Sequence, residues 1–165
     1  MSQSFAASYQ HLVFSTKQRT PFLRDKLLRT ELHAYIGSIS KQLECAPLIV
    51  GGVADHVHIL ARLSRTITLA DWTKEIKRIS TIWLKERAKN APATAPAPTP
   101  TPHPLKDFAW QAGYGVFSVS QSNTEAVYDY INRQEEHHRT TTFQDEYRLL
   151  LQRHNIEWDE KYVWD

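Results

Sequence analysis

Two histidines separated by one residue carry the clearest chemical signal in the chain. His56 and His58 lie in the sequence DHVHIL, whose apolar and β-branched residues favour a β-strand. Residues i and i+2 of a strand point to the same face, so the two imidazoles could bind one metal ion. The spacing alone is a weak signal, because a pair of structural histidines would look the same. Asp55, directly before the pair, could hold one imidazole in a fixed tautomer or could simply belong to a turn.

A second candidate group lies in the sequence YINRQ. Residues i and i+4 share a helix face, so Tyr130 and Gln134 should project together. Tyr128 lies about 200° from Tyr130 around such a helix and cannot share that face. Two neutral imidazoles and one amide oxygen would leave a divalent cation with open positions, which suits a phosphate oxygen of a nucleic-acid strand. The tyrosine hydroxyl, with an ordinary pKa of about 10, would need activation to attack a phosphodiester.

The elements that must position these residues follow the order β-α-β-β-α-β, with two further helices after them. Apolar alternation and helical spacing predict strands over 9–15, 48–53, 57–63 and 114–120, and helices over 22–43, 68–88, 122–138 and 143–154. A capping box at Ser122 and Glu125 predicts the start of the third helix. This order is typical of an α+β, ferredoxin-like (RRM-like) fold, in which an antiparallel sheet carries helices on one face. The C-terminal helices that carry the tyrosine are additional.

The chain has 165 residues, a length that predicts one domain over 1–165. Its single cysteine, Cys45, excludes a disulfide framework. No signal peptide and no run of about 18 apolar residues is visible, so we expect a cytoplasmic protein without a membrane span. The proline-rich stretch 91–104 predicts an extended loop within the domain. The aromatic, acidic tail 156–165 has no role that its composition explains.

The net charge of +2 hides an asymmetry between the two halves of the chain. Residues 1–90 hold 14 Lys and Arg against 7 Asp and Glu, whereas residues 91–165 hold 6 against 11. A basic half permits a polyanionic partner, although solvated charges would give the same count. The candidate phosphate contacts are Lys17, Arg19, Lys74, Lys77 and Arg78. His137 and His138 are expected to be a surface pair.

Taken together, these motifs resemble the single-tyrosine HUH transposases of the IS200-like, REP-associated type. The resemblance runs over nearly the whole chain, from HLVFSTKQRTPFL through GGVADHVHIL and WTKEIKRIS to YINRQ. It implies that Tyr130 is the nucleophile. It also implies that His56, His58 and Gln134 bind one Mg²⁺ or Mn²⁺.

The resemblance further implies a site-specific transposase that binds hairpins at transposon or repeat ends and cuts single-stranded DNA. The tyrosine would become linked to a 5′ phosphate, and the strands would be rejoined without a nucleotide cofactor. Such proteins commonly work as homodimers. The main alternative is a non-catalytic or domesticated nucleic-acid-binding module on the same fold. A structural protein with an incidental histidine pair, and a related HUH nickase, are further alternatives.

Overall fold

One antiparallel sheet of four strands forms the centre of the molecule. The computed structural model describes residues 2–90 and 103–165, so residues 91–102 of the predicted proline-rich loop lie outside the described part. The strands are β1 (Tyr9–Ser15), β2 (Ala46–Gly52), β3 (His56–Arg62) and β4 (Gly115–Val119). Their order across the sheet is β2-β3-β1-β4, with every neighbouring pair antiparallel. The predicted α+β, ferredoxin-like arrangement is therefore confirmed.

Five α-helices surround this sheet in the described residues. They are α1 (Lys26–Gln42), α2 (Leu69–Lys89), α3 (Thr124–Asn132), α4 (Gln134–His137) and α5 (Phe143–Arg153). Side chains cap three of them, since Asp25, Thr68 and Thr142 each accept a backbone N–H from the first turn of α1, α2 and α5. Such caps satisfy N–H groups that have no partner within the helix.

The predicted helix over 122–138 is wrong in two respects. It is divided into α3 and α4, because Arg133 between them leaves helical geometry with φ −100° and ψ 22°. The predicted capping box at Ser122 and Glu125 does not form. A short 3₁₀ turn over residues 121–123 runs directly into α3, and its carbonyls take the N–H groups that a cap would bind. Asn123 then precedes α3 without a side-chain cap.

The two faces of the sheet are covered by different helices. Leu12 and Phe14 of β1 point to the face covered by α1 and α2, where they join the larger hydrophobic core with Ile36, Trp72 and Ile76. The intervening residue Val13 points to the opposite face. This alternation is the period of two that a strand imposes on its side chains.

The opposite face is covered by α5 and by the end of the chain. Its apolar cluster is smaller and comprises Val13, Phe117, Phe143, Tyr147, Leu150 and Leu151, with Val163 and Trp164 packed against it. The carbonyl of Asp165 accepts the N–H of Gly113 at 2.7 Å, so the tail docks on the body of the domain. Helix α3 approaches the same face near β2 and β3.

Within residues 2–90 and 103–165, no helix is long and apolar enough to cross a membrane.

Candidate active site

The two histidines of β3 lie buried at the centre of the sheet, on the face covered by α5. His56 and His58 have no exposed surface, and the residues between and after them, Val57 and Ile59, join the core on the α1–α2 face. Across the sheet, His11 of β1 reaches the same face, and its Nε2 lies 2.8 Å from His58 Nδ1. Strand alternation therefore brings three imidazoles together.

The turn before β3 fixes His56 in place. Asp55 Oδ1 lies 2.7 Å from His56 Nδ1, and because a carboxylate only accepts, Nδ1 is the donor. The backbone carbonyl of Asp55 in turn accepts the N–H of Thr16 at 2.8 Å. Gly52 makes this tight turn possible, because its φ is +153° and a Cβ there would lie 2.2 Å from the carbonyl oxygen of His56. Of the two imidazoles that Asp55 could hold according to the sequence, the structure pairs it with that of His56.

Tyr130 and Gln134 come from α3 and the start of α4. The backbone of α3 lies directly on β2, because a Cβ at Gly51 would stand 2.7 Å from the carbonyl oxygen of Ile131. This contact brings the buried side chain of Gln134 to the histidines, with its Oε1 3.2 Å from His56 Nε2. The side chains of His56, His58 and Gln134 therefore converge, as their predicted role requires.

A residue that the sequence reasoning missed lies at the middle of the group. Glu146 of α5 is buried, and its Oε1 lies 2.9 Å from His58 Nε2 and 3.5 Å from His56 Nε2. Its Oε2 accepts hydrogen bonds from the Tyr130 hydroxyl and from Gln134 Nε2. A signal for it exists, since Glu146 interrupts the apolar stripe that Phe143, Tyr147 and Leu150 form on α5.

The expectation that His137 and His138 form a surface pair is wrong for His138, whereas the side chain of His137 is 32% exposed. The Nε2 atoms of both residues lie 3.1 Å from Glu146 Oε2, and the side chain of His138 is only 10% exposed. His138 Nδ1 donates to the carbonyl oxygen of Thr141 at 2.7 Å, which turns its other nitrogen toward the site. His56, His58, His138 and Glu146 each place one potential ligand atom within 4.8 Å of the others.

The pKa values of the histidines and of Tyr130 follow from burial and from the carboxylates of Asp55 and Glu146. Burial opposes protonation of His56, but its hydrogen bonds to Asp55 and Glu146 outweigh that effect and raise its pKa to about 9. Burial likewise lowers the pKa of His58. The pKa of the Tyr130 hydroxyl is raised by burial and by the neighbouring charge of Glu146. Tyr130 is therefore a protonated hydroxyl that needs activation before it can act as a nucleophile.

An open cleft of about 610 Å³ gives access to Tyr130. The guanidinium-bearing residues Arg133 and Arg139 line it, together with His137. Asp129 and Glu136 line the same cleft, so a phosphodiester strand lying in it would meet two cationic and two anionic side chains beside the tyrosine hydroxyl.

The predicted phosphate contacts do not form one cluster. Lys17 is exposed and follows β1, and Arg19 lies over the ring of Trp164. Lys74 and Arg78 are exposed on α2, which covers the sheet face opposite the histidines. The ammonium of Lys77 donates to the carbonyls of residues 111, 112 and 113, so a phosphate contact would require it to give up backbone acceptors.

Comparisons with solved structures agree on the fold. A candidate transposase from Deinococcus radiodurans R1 is similar with a TM-score of 0.57 and 21% sequence identity, over 81% of this chain and 96% of that one. A REP-associated tyrosine transposase bound to a REP hairpin is similar with a TM-score of 0.53 and 16% identity, over 84% of this chain and 74% of that one. No curated protein matches the chain.

The family described as "Transposase IS200 like" matches residues 4–134. This match begins before β1 and ends at Gln134, so it includes the histidine pair and the tyrosine helix. The chain therefore belongs to the IS200-like family of transposases. Glu146 and α5 lie beyond the matched residues.

Proposed function

We propose that the protein is a site-specific transposase that cuts and rejoins single-stranded DNA through a 5′-phosphotyrosine intermediate. The observation that carries this proposal is the convergence of Tyr130, His56, His58 and Gln134 on one buried point beside an open cleft. Family membership supports DNA transposition as the reaction. The proposal is supported by the Tyr130 hydroxyl, which hydrogen-bonds Glu146 next to a group of side chains that could bind a metal ion.

The donor set fits a divalent cation. His56 Nδ1 donates to Asp55, so its Nε2 faces Gln134 Oε1 and Glu146 Oε1, which are both acceptors. The raised pKa of His56 favours a second proton on Nε2, and once that proton leaves, Nε2 is an acceptor as well. A cation placed between these atoms would satisfy all of them. We infer that His56, His58 and Gln134 hold one Mg²⁺ or Mn²⁺. When bound, the ion would act as a Lewis acid that polarises the scissile phosphate and orients the strand.

The chain's own residues supply the covalent step. The Tyr130 oxygen forms a bond to the scissile phosphorus, and the bond between phosphorus and the 3′ oxygen breaks. The tyrosine proton goes to an acceptor (its partner in the structure is Glu146), and the 3′ oxygen leaves as a hydroxyl after taking up a proton. Strand joining is the reverse attack by a 3′ hydroxyl on a phosphotyrosine. The phosphodiester energy is conserved, so no nucleotide cofactor is required.

The proposal for the DNA substrate is supported by the fold similarity and by basic residues on the surface. The REP-associated relative is bound to a REP hairpin, which supports a hairpin at a transposon or repeat end as the substrate of this chain. Lys17, Arg19, Lys74 and Arg78 are the proposed phosphate contacts, with Asp55 holding His56 in its metal-binding orientation. We expect a homodimer, which sedimentation of the protein with and without hairpin DNA would test.

An assay for covalent attachment of DNA to Tyr130 tests the proposal. The protein is incubated with Mn²⁺ and labelled single-stranded DNA that carries a hairpin, and covalent adducts are separated on a denaturing gel. Wild type should form an adduct, and Tyr130→Phe should form none, because the attacking oxygen is gone. Tyr128→Phe, whose ring is 41% exposed, is the matched control and should retain the adduct. An adduct that persists in Tyr130→Phe would overturn the assignment. Binding without any adduct would favour a non-catalytic nucleic-acid-binding module.

A further inference from the structure

Glu146 is a buried carboxylate in a helix face that is otherwise apolar. Its neighbours on that face, Phe143, Tyr147 and Leu150, pack in the cluster beneath α5. An unpaired buried carboxylate costs several kcal/mol on the scale of buried ions, so such groups are paired with cations or bind metals. A leucine or methionine would serve packing alone at this position. The placement of a carboxylate here therefore indicates a positively charged partner.

The atoms around Glu146 match the spacing of ligands on one ion. Neighbouring ligands of an octahedral ion at about 2.1 Å stand about 3 Å apart. Glu146 Oε1 lies 2.9 Å from His58 Nε2 and 3.5 Å from His56 Nε2. The Oε1 of Gln134 lies 3.2 Å from the same His56 nitrogen. These three distances are compatible with four neighbouring ligand atoms around one ion.

The hydrogen bonds of the histidines point to the same conclusion. His56 Nδ1 is a donor to Asp55, and His138 Nδ1 is a donor to Thr141, so each neutral ring presents an Nε2 lone pair toward Glu146. Carboxylate oxygens carry lone pairs as well. Without a second proton on His56 or His138, these inner atoms are acceptors that face one another. The arrangement therefore requires a cation between them, either a proton or a metal ion.

We propose that Glu146 is a ligand of the divalent cation, so that α5 completes a metal centre whose other ligands are His56, His58 and Gln134. This inference deepens the proposed function and rests on it for the presence of the ion. Glu146 lies outside the family-matched residues 4–134, so the family match does not include this ligand. Its single negative charge offsets part of the dipositive charge that two imidazoles and an amide leave uncompensated.

The same carboxylate also positions the nucleophile. While Oε1 faces the imidazoles, Oε2 accepts the hydrogen bond of the Tyr130 hydroxyl. A carboxylate that binds the ion through one oxygen and Tyr130 through the other would hold the tyrosine oxygen at the edge of the metal centre. A phosphate bound to the same ion would then lie next to its attacking group.

Mn²⁺ binding to the full chain tests the inference without relying on activity. Metal is removed with a chelator, Mn²⁺ is titrated, and the free ion is followed by its electron paramagnetic resonance signal. Glu146→Gln, which keeps the shape but loses the charge, should weaken Mn²⁺ binding at least tenfold, since even the outer partners of ligands change affinity by about 10- to 100-fold. Glu146→Asp, which keeps the charge on a shorter side chain, should retain most of the affinity. Glu136→Gln, an exposed carboxylate on α4, is the matched control and should bind as wild type.

Three results would overturn the inference. Glu146→Gln could bind Mn²⁺ as tightly as wild type, or Glu146→Ala could bind more tightly, which would mean that the carboxylate competes with the ion for its place. Wild type could also fail to bind Mn²⁺. A merely structural role would lower the melting temperature of the metal-free variant and leave the Mn²⁺-induced rise in melting temperature unchanged. The Tyr130 adduct assay separates the two proposals, because unchanged Mn²⁺ affinity in Glu146→Gln with an intact wild-type adduct contradicts the inference alone.

Discussion

The two faces of the sheet are built from the same strands and differ in almost everything else. On the α1–α2 face, Leu12, Phe14 and Val57 meet a continuous apolar core in which Trp72 is fully buried. On the α5 face, the residues that alternate with these are His11, His56 and His58, and the apolar cluster beside them is smaller. One face holds the larger hydrophobic core, and the other collects buried polar groups beside a smaller apolar cluster.

This difference teaches how the domain accommodates a buried polar site. Polar groups in a protein interior are costly unless each has a partner. The imidazoles of the α5 face lie in the two central strands, where the opposite face supplies most of the hydrophobic burial. Substitutions on the α1–α2 face should therefore lower the free energy of unfolding. Substitutions on the α5 face should change metal binding and chemistry first.

The largest effect on stability is expected on the α1–α2 face. Trp72 is fully buried, and its Nε1 donates to Ser40 Oγ at 3.0 Å. Trp72→Ala should lower the free energy of unfolding by about 3–5 kcal/mol, because it removes the buried ring and leaves a cavity. Urea denaturation measures the loss. Trp158→Ala, at a ring that is 37% exposed, is the control and should change stability by about 0.5 kcal/mol or less. Equal losses in the two variants would contradict the contrast between core and surface.

An intermediate effect is expected from the carboxylate that holds His56. Asp55→Asn keeps a hydrogen-bond acceptor for His56 Nδ1 but loses the charge that strengthens the imidazole as a ligand. Mn²⁺ affinity should fall by about 10- to 100-fold, whereas the metal-free protein should remain folded. Asp129→Asn, an exposed carboxylate next to Tyr130 in the sequence, should bind Mn²⁺ as wild type. Unchanged affinity in Asp55→Asn would remove Asp55 from the site.

The smallest effect is expected where the two faces meet at the β2 edge. Glu135 of α4 accepts a hydrogen bond from Arg29 of α1 at 2.8 Å, and this contact holds the pKa of its carboxyl below the usual value. The side chain of Glu135 is half exposed, so solvent screening keeps its contribution to stability at about 1 kcal/mol or less.

The sign of its pH dependence follows from that lowered pKa. The contribution of Glu135 is present above the unfolded-state pKa of about 4.3 and is lost as the pH falls through the lower folded value. Glu135→Gln should therefore be slightly less stable than wild type at pH 7, and the difference should be smaller at about pH 3. Thermal unfolding at both pH values checks this expectation. A difference of the same size in acid would show that shape, and not charge, accounts for the contact.

The strands and long helices could be predicted from the sequence because their patterns are local. The strand over 9–15 has the bounds of β1, and the helix over 68–88 differs from α2 by one residue at each end. The alternation around His56 and His58 also predicted that both imidazoles share a face. The spacing of apolar residues and the capping residues determine these strands and helices, and both signals lie within a few neighbouring positions of the sequence.

The two site residues that the sequence analysis missed, Glu146 and His138, differ in how far along the sequence their partners lie. Glu146 meets His58 across 88 positions of sequence, and no local spacing connects them. Its place in an apolar stripe was the available signal. His138 follows Gln134 by four residues, so the rule that paired Tyr130 with Gln134 would have reached it if applied once more. The sequence analysis expected a surface pair there and did not use the helix face that His138 shares with Gln134.

The hydrogen bond between His11 and His58 links strand β1 to any change in the protonation of the site. When His58 Nε2 carries a proton toward Glu146, its Nδ1 accepts from His11 Nε2, and both rings remain neutral. If His58 coordinates an ion through Nε2, the proton on Nε2 must move to Nδ1. The Nδ1–H group then donates to His11. His11 must in turn shift its own proton from Nε2 to Nδ1. His11, which does not contact the ion, would thus change tautomer when the ion binds. Its ¹⁵N chemical shifts would then report the metal occupancy of the site.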